Sequence, residues 1–558
     1  MLDDEVMTPG VIDTEPAPAP APPERGRSRR QLLVEYLPIV GLLLVVAWFC
    51  KVFYQPGHDW GDDFALYIHQ AKGLVNGNVG EVIAQNRYAV DNSGWSSFSP
   101  LVYPWGFPLL IAPIIALWGV NYAKLKLFVI ATFLGYLFCL YRLVLRRAGV
   151  VPAALIVALV GASVTYVGWT ASVLSDYPFL FVATLTLLWF DRCRARNLFE
   201  ADGLRDLIIL GGLIGFSFSI RREGLALIAS LFAIHVVILA PRLSERVSVL
   251  VDRVQTRAPR GSSAPIRWSR IAVPWVSFAV MVGGLQLVLP SVLVPRYAGS
   301  GTQQIKPNII WFRDILAELL GLKDIGVNKL ELLGSWRLAA AALTVFVVLA
   351  ILGFLVRLAT ALFEDVTIAA YLFGICYILG TAPFHEGRYL YGIMPLMAYF
   401  AVQALPALAK WVRLWALPAT VLSCVLLAGL VFANLTDMRH AIDYHRVYKG
   451  TIDGPTAPAA MEMEQKVRDC TRGDDVVAFF RARAMSMLTD RRSIQTGSID
   501  QVLQRSDWFV MEKNSTYSQP LVSDSEAARL GLRKIWENSD WVLWLVPGGA
   551  ADHRRLPC

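Results

Sequence analysis

Apolar runs recur along most of the chain, from residue 32 to residue 435, and polar residues gather in the loops between them. About 20 predominantly apolar residues make a helix that crosses a bilayer, and the first run, Leu32–Phe53, has that length. Arginine sets direction, because cytoplasmic loops carry the excess of basic residues. Arg25, Arg27, Arg29 and Arg30 precede the first run, so it points outward. The run Tyr122–Leu145 ends in Arg142, Arg146 and Arg147 and therefore returns to the cytoplasm. Between these two, Phe107–Trp118 is apolar but too short to span. It reads as a re-entrant or surface helix within a first outer loop at about 54–121.

The remaining runs alternate. Pro152–Trp169 goes out, Tyr177–Phe190 comes in with Arg192, Arg194 and Arg196 behind it, Leu207–Ile220 goes out and Leu225–Ala240 returns. The loop 241–270 carries seven arginines against Glu245 and Asp252, 7 − 2 = +5, the strongest inside signal in the chain. Ile271–Val294 goes out, Trp336–Val356 in, Val366–Thr381 out, Tyr389–Leu405 in with Lys410 and Arg413 behind it, and Leu414–Leu435 out. A second surface helix is predicted around Ile309–Leu320. The sum is about eleven transmembrane helices, with the N-terminus cytoplasmic and the C-terminus extracytoplasmic.

Residues 436–558 change to a soluble composition. Asp475–Phe480, Asp507–Met511 and Asp540–Val546 read as short buried strands, and Arg483–Thr489 and Ser523–Trp536 as helices. A small extracytoplasmic α/β domain follows. Residues 1–31 read as a disordered cytoplasmic tail rather than a signal peptide, acidic and rich in Pro and Ala up to the arginines. That leaves 32–435 as the transmembrane domain.

Composition agrees with this division. The chain is 55% hydrophobic and 17% charged, with a mean hydropathy of +0.48, where a soluble protein carries about 25% charged residues. The net charge of +8 orients loops and does not point to nucleic acid, since no basic, aromatic-interleaved soluble module accompanies it. Five of the seven cysteines fall in or beside apolar runs. Cys470 and Cys558 lie in the soluble part and could pair if it is extracytoplasmic.

The first outer loop opens with His58-Asp59-Trp60-Gly61-Asp62-Asp63-Phe64. Asp62 or Asp63 is placed to cap a helix running to about Val75, with Phe64, Ile68, Ala71 and Val75 as its apolar stripe. Tyr67 and Lys72 lie off the stripe. That pattern describes a helix lying on a bilayer with acids at its N-terminal end, where free N–H groups favour the ionised carboxylate. Asp59, Asp62 and Asp63 are the candidate bases. An Asp/His cluster of this kind could instead hold a divalent cation such as Mg, Mn or Zn.

Other ionisable groups are predicted on the same side. They are Ser175-Asp176-Tyr177-Pro178, Arg221-Arg222-Glu223-Gly224 and His385-Glu386-Gly387-Arg388-Tyr389. Arg221, Arg222 and Arg388 break the positive-inside trend and need a local reason. One is an anionic lipid headgroup, which arginine clamps through its planar fork. The other is snorkelling to phospholipids or pairing with Glu223 and Glu386.

The ordered set Gly61-Asp62-Asp63-Phe64-Ala65-Leu66-Tyr67, Tyr103-Pro104-Trp105-Gly106-Phe107-Pro108, Ser175-Asp176-Tyr177-Pro178, Arg221-Arg222-Glu223-Gly224 and Gly387-Arg388-Tyr389-Leu390 resembles the GT-C glycosyltransferases. The branch is that of the protein mannosyltransferases and the aminoarabinose transferases of lipid A. The resemblance implies a GT-C fold in the plasma (inner) membrane and a polyprenyl-phosphate-linked sugar as donor. It further implies an acceptor hydroxyl on lipid, glycan or protein, transfer at the outer face, and an acid of the first outer loop at the catalytic centre. Members often carry Asp-Glu there, with an aromatic residue four positions after the Asp. Tyr67 stands four after Asp63, which makes Asp63 the first choice. Phe64 departs from the Glu position, and Asp62 is then the candidate second carboxylate. Arg388 matches the basic residue near the lipid phosphate, with Arg221, Arg222, Tyr389, Glu386, His385 and Tyr67 as further donor-binding candidates. Two other functions fit the same composition: a polysaccharide ligase or polymerase using a pyrophosphate-linked donor, and a transporter or flippase.

Overall fold

The apolar runs fold into helices whose lengths and breaks follow local sequence. The computed structural model describes residues 29–94, 100–196, 198–199, 203–243, 267–293, 300–324, 329–330, 335–383, 386–447, 452–549 and 558. Among the described residues, seven helices are long and apolar enough to cross a membrane, and up to eight if a bent pair forms one span. That pair, Val150–Gly161 and Val164–Ala171, meets at 61°, so the predicted run Pro152–Trp169 is not one straight helix. The runs predicted at Trp336–Val356 and Val366–Thr381 join in a 46-residue helix, Trp336–Thr381, whose backbone leaves helical geometry at Ala361 (φ −146°, ψ 38°). A straight helix of that length would extend about 69 Å, more than twice the ~30 Å of a hydrocarbon core. Two further predicted spans are helical but atypical. Asp176–Ala195 carries Asp176, Asp191, Arg192 and Arg194, and Leu204–Ile220 has only 17 residues. The arginine-rich loop 241–270 lies mostly outside the described residues.

Two buried charge groups mark opposite ends of the bundle. Asp176 and Asp191 share one helix, 15 residues apart, which is about 22 Å. Asp191 meets Arg147 and, through it, Asp365, whereas Asp176 meets Arg221. Between these ends lies an aromatic core in which the Tyr166 and Tyr391 rings stack at 4.4 Å. The Tyr136 and Tyr166 hydroxyls both donate to the Tyr391 carbonyl. These bonds hold the turn Gly387–Gly392 that carries Arg388.

The segment predicted as the first outer loop forms three helices, Asp62–Asn76, Val79–Asn92 and Gly106–Trp118. Gly61 occupies the N-cap position of the first, so Asp62 and Asp63 stand in its first turn and do not cap it. Nor does this helix lie with one face on the bilayer. Every residue from Phe64 to Ala71 is buried, including the off-stripe Tyr67, while the predicted stripe residue Val75 is 40% exposed. The C-terminal domain covers the face that periodicity assigned to solvent. Lys72 Nζ donates to the Met487 carbonyl at 2.7 Å and to Asp490 Oδ1 at 3.1 Å, and Trp60 sits edge-on to Phe479, Phe480 and Trp541.

The last apolar helix, Ala416–Val447, runs 12 residues beyond the boundary predicted at 435. After it comes a five-stranded mixed sheet in the order Arg492–Ile494, Val476–Ala478, Trp508–Glu512, Trp541–Leu545, Arg533–Glu537. The first three strands pair in parallel and the last two add antiparallel. The predicted helix Ser523–Trp536 is only half helical. Gly531, at φ +74°, caps Asp524–Leu530 in the left-handed conformation. The chain then turns back as the edge strand Arg533–Glu537, with Lys534 over the Trp544 ring.

Cys470 and Cys558 form a disulfide that closes an 88-residue separation. A loop of that size contributes about 4–5 kcal/mol in the chain-entropy model. Cys558→Ser, or reductant, is therefore expected to lower the melting temperature of the C-terminal domain, followed by tryptophan fluorescence of the full-length protein. An unchanged melt would show that the bridge is dispensable.

Candidate active site

Asp63 is held by side chains from two distant segments, and through one of them it joins two more. Arg388 Nη2 donates to its Oδ2 at 2.6 Å, and the Tyr103 hydroxyl donates to its Oδ1 at 2.5 Å. Arg388 Nη1 also lies 3.7 Å from Asp176 Oδ2, and its Nε lies 4.0 Å from Glu386 Oε2. Arg221 bonds Asp176 Oδ1 at 2.5 Å and Glu223 Oε1 at 2.7 Å. The result is an alternating chain of charge, Asp63–Arg388–Asp176–Arg221–Glu223. Tyr389 lies beneath both guanidinium groups, 6.0 Å from Arg388 and 5.6 Å from Arg221, and Trp169 lies 5.5 Å from Arg388. Tyr67 shares a 2.9 Å hydrogen bond with Ser175 Oγ and stacks on Tyr103 at 4.5 Å.

The two neighbouring acids differ in their electrostatics. Burial alone would raise Asp63, but the Arg388 charge, hydrogen bonds from Tyr103 and Arg388, and the Arg483 charge bring it down to about 2. Asp62 moves the other way. Burial raises it, and Arg483 and Arg481, the latter 3.7 Å away, offset this only in part. Its Oδ1 is buried without a hydrogen-bond partner. Glu386 is also raised, by burial and by the negative charges of Asp63 and Asp176, against the pull of Arg388.

Several predicted site residues stand elsewhere. Asp59 is 60% exposed and pairs with His58 Nδ1 at 2.7 Å, away from the Asp63 group. His58 stacks on Phe64 at 3.8 Å and accepts the Val173 backbone N–H on Nε2, so both ring nitrogens serve the fold. Among the described residues, no three His, Cys, Asp or Glu side chains converge as metal ligands. Arg222 donates to the Val292 and Val102 carbonyls and ties down a loop. His385 lies outside the described residues. Glu223 pairs with Arg221, the alternative reading of that arginine, and Asp176 and Tyr103 join the group although no role was assigned to them, as do Arg481 and Arg483 of the C-terminal domain. The first three stood within the quoted motifs. The arginines are more than 400 residues from Asp63 and gave no local signal.

Beside the ion chain lies a narrow cleft. Asp176, Arg221, Glu223, Arg388 and Tyr389 line its polar end, and Phe179, Leu180, Ile375 and Leu379 its apolar end. No protein-family model matches the chain, and no curated protein matches it in sequence. Among solved structures it is similar to ArnT from Cupriavidus metallidurans bound to undecaprenyl phosphate. The TM-score is 0.50 at 11% identity, over 91% of this chain and 98% of that one. The apo state of ArnT from the same organism gives 0.51 at 11% identity, over 91% and 97%. The oligosaccharyltransferase AglB from Archaeoglobus fulgidus, in complex with an inhibitory peptide and a dolichol-phosphate, gives 0.48 at 10% identity, over 86% and 70%. The chain has the GT-C fold.

Within this GT-C fold, the Tyr103–Phe107 segment fixes the distance between the first outer loop and the bundle. The Trp105 indole donates to the Pro290 carbonyl at 3.1 Å. A Cβ on Gly106 would meet the Ser219 and Ile220 backbone at 2.6 Å, closer than such contacts allow. Glycine there lets the loop lie directly on the helix end that presents Arg221. The Tyr103 backbone N–H and carbonyl both bond the Gln70 amide at 3.1 Å, which aligns its ring with Asp63.

Proposed function

We propose that the protein is an integral-membrane glycosyltransferase that moves one hexosyl or pentosyl group from a polyprenyl phosphate to an acceptor hydroxyl. The observation that carries this reading is the Asp63–Arg388 pair, 2.6 Å long, whose arginine lines a cleft with an ion-paired, arginine-bearing end and an apolar end. Such a cleft suits a lipid phosphate, whose head requires arginine and whose tail requires apolar walls. The phosphate competes with Asp63 and Asp176 for Arg388. Once Arg388 turns to it, Asp63 loses the strongest influence lowering its proton affinity, and burial then makes it a better base. The acceptor oxygen attacks the anomeric carbon while Asp63 takes the hydroxyl proton. The bond from that carbon to the phosphate oxygen breaks, and polyprenyl phosphate leaves with the electron pair, its charge met by Arg388. Asp62 supplies a second carboxylate beside the acceptor path.

The reaction takes place at the extracytoplasmic face of the plasma membrane. The Cys470–Cys558 disulfide supports this side, because disulfides persist in oxidising compartments. The test is incubation of the purified protein in lipid nanodiscs with labelled polyprenyl-phosphate sugars and envelope extract. The expected products are free polyprenyl monophosphate and an equal amount of labelled acceptor. Activity only with pyrophosphate-linked donors would replace this reading with the ligase or polymerase. Lipid movement across liposomes without any glycosyl product would replace it with the flippase.

A further inference from the structure

Arg483 stands in the first turn of the helix Ala482–Thr489 of the C-terminal domain, yet its side chain ends inside the first outer loop. Only 4% of it is exposed. Its Nε donates to Asn86 Oδ1 at 3.1 Å and its Nη2 to the Pro100 carbonyl at 2.8 Å. Its Nη1 lies 3.5 Å from the Tyr103 hydroxyl oxygen. The guanidinium centre is 5.5 Å from the Tyr103 ring. The far end of the same helix is held as well, by Lys72 on the Met487 carbonyl. The C-terminal domain is thus fastened to the helix of Asp63 through Lys72, and through Arg483 to Asn86 of the helix Val79–Asn92 and to the segment that carries Tyr103.

We propose that Arg483 is a positioning residue for Asp63 and acts through the Tyr103 hydroxyl. Arginine has donors only. A guanidinium facing the Tyr103 oxygen can therefore be met only by that oxygen's lone pair, which leaves the hydroxyl hydrogen for Asp63 Oδ1, 2.5 Å away. Donation from a cation also polarises the phenol and strengthens the bond it gives onward. The remaining freedom of Tyr103 is small, with its backbone on Gln70 and its ring stacked on Tyr67. Arg483 settles which way its hydroxyl points. The charge of Arg483 acts on Asp63 in the same direction, favouring the carboxylate. The C-terminal domain is in this way a working part of the site.

The consequence for turnover rests on the glycosyl-transfer reading, whereas the consequence for Asp63 itself does not. The experiment therefore uses two readouts on full-length protein in nanodiscs. The first is infrared titration of the protonated carboxyl band that Asp63→Asn removes, which needs no substrate. In Arg483→Met, Asp63 is expected to bind its proton at least tenfold more tightly than in the wild type. The second is transfer kinetics. Arg483→Met is expected to lower kcat at least tenfold with the donor KM within about twofold, because the misdirected Tyr103 hydroxyl costs Asp63 more in orientation than it gains in basicity, and to add little further loss to Tyr103→Phe. If Arg483→Met melts below the assay temperature, Arg483→Gln, which keeps an amide donor for the loop carbonyls, takes its place. An unshifted Asp63 titration in the folded variant overturns the proposal, as do losses that add fully with Tyr103→Phe. A shifted titration in a protein that transfers no sugar would uphold the positioning role and remove the proposed function.

Discussion

Asp63→Asn is expected to lower sugar transfer by on the order of 10²–10⁴-fold, the usual contribution of a positioned general base, while the chain still folds in membranes. Asparagine keeps the shape of the side chain, and its oxygen can still accept from Tyr103. It cannot take a proton, and it leaves Arg388 with Asp176 at 3.7 Å as its nearest remaining carboxylate contact. The loss should appear in kcat more than in KM, because the base acts on the acceptor in the transition state. Measured as kcat/KM, which reports the free enzyme, the loss should also be nearly independent of pH across the neutral range. Arg388 and Tyr103 hold the Asp63 carboxyl down to about 2. Its contribution to stability is therefore present above the ordinary carboxylate range and disappears only as pH falls through about 2. Asp62 has the opposite sign. Burial raises it, so its ionised form at neutral pH opposes folding. Asp62→Asn should leave the melting temperature unchanged or higher and reduce transfer less. Wild-type rates from both variants would remove the carboxylate assignment.

The meeting of Asp63 with Arg388 was legible because each residue broke a rule where it stood. Acids crowded the start of a helix after the first apolar run, and an arginine fell in a loop where the predicted topology expects few. Arg221 followed from the same violation. Its neighbour Arg222 did not, because a one-residue step separates a side chain facing Asp176 from one facing the Val292 carbonyl. Periodicity identified the helix Asp62–Asn76 but misjudged its surroundings. A face that looks polar enough for solvent, with Tyr67 and Lys72 on it, is also suited to a second domain. The docking of Ala482–Thr489 on that face is a tertiary fact with no trace in local spacing. Arg483 was hidden for the same reason. In Ser523–Trp536 the apolar spacing suited a helix, and the stop lay in Gly531, whose left-handed backbone outweighs the pattern after it. The bend at Ala361 fell between two predicted spans, and the structure joins Arg357 to Glu364 and Asp365 across it in a charged turn.

That charged turn is also where the largest loss of stability is expected. Arg147 is 3% exposed and grips Asp191 with both terminal nitrogens, at 2.7 and 2.6 Å, while its Nε bonds Asp365 Oδ1 at 3.0 Å. Asp365 is fully buried and also receives Arg357 Nε at 2.6 Å and the Tyr399 hydroxyl at 2.9 Å. One guanidinium thus joins the helices Tyr122–Ala148 and Asp176–Ala195 to the bend of Trp336–Thr381, with Met394–Trp411 attached through Tyr399. Arg147→Met leaves Asp191 buried with Arg194, at 3.4 Å, in place of its bidentate partner, so the loss should fall toward the lower end of the range of about 3–5 kcal/mol for such pairs. Denaturant unfolding in detergent micelles should show it as a lower midpoint. Asp365 suffers less, since Arg357 and Tyr399 still hold it. The double variant Arg147→Met, Asp191→Leu should therefore recover most of the loss, because replacing both members by apolar residues removes the stranded charge along with the bond. Sugar transfer per folded molecule should be unchanged in the double variant, since Asp191 lies about 22 Å along its helix from Asp176. Equal destabilisation in the single and double variants would mean that helix packing around the cluster, rather than its charge balance, holds this end of the bundle together.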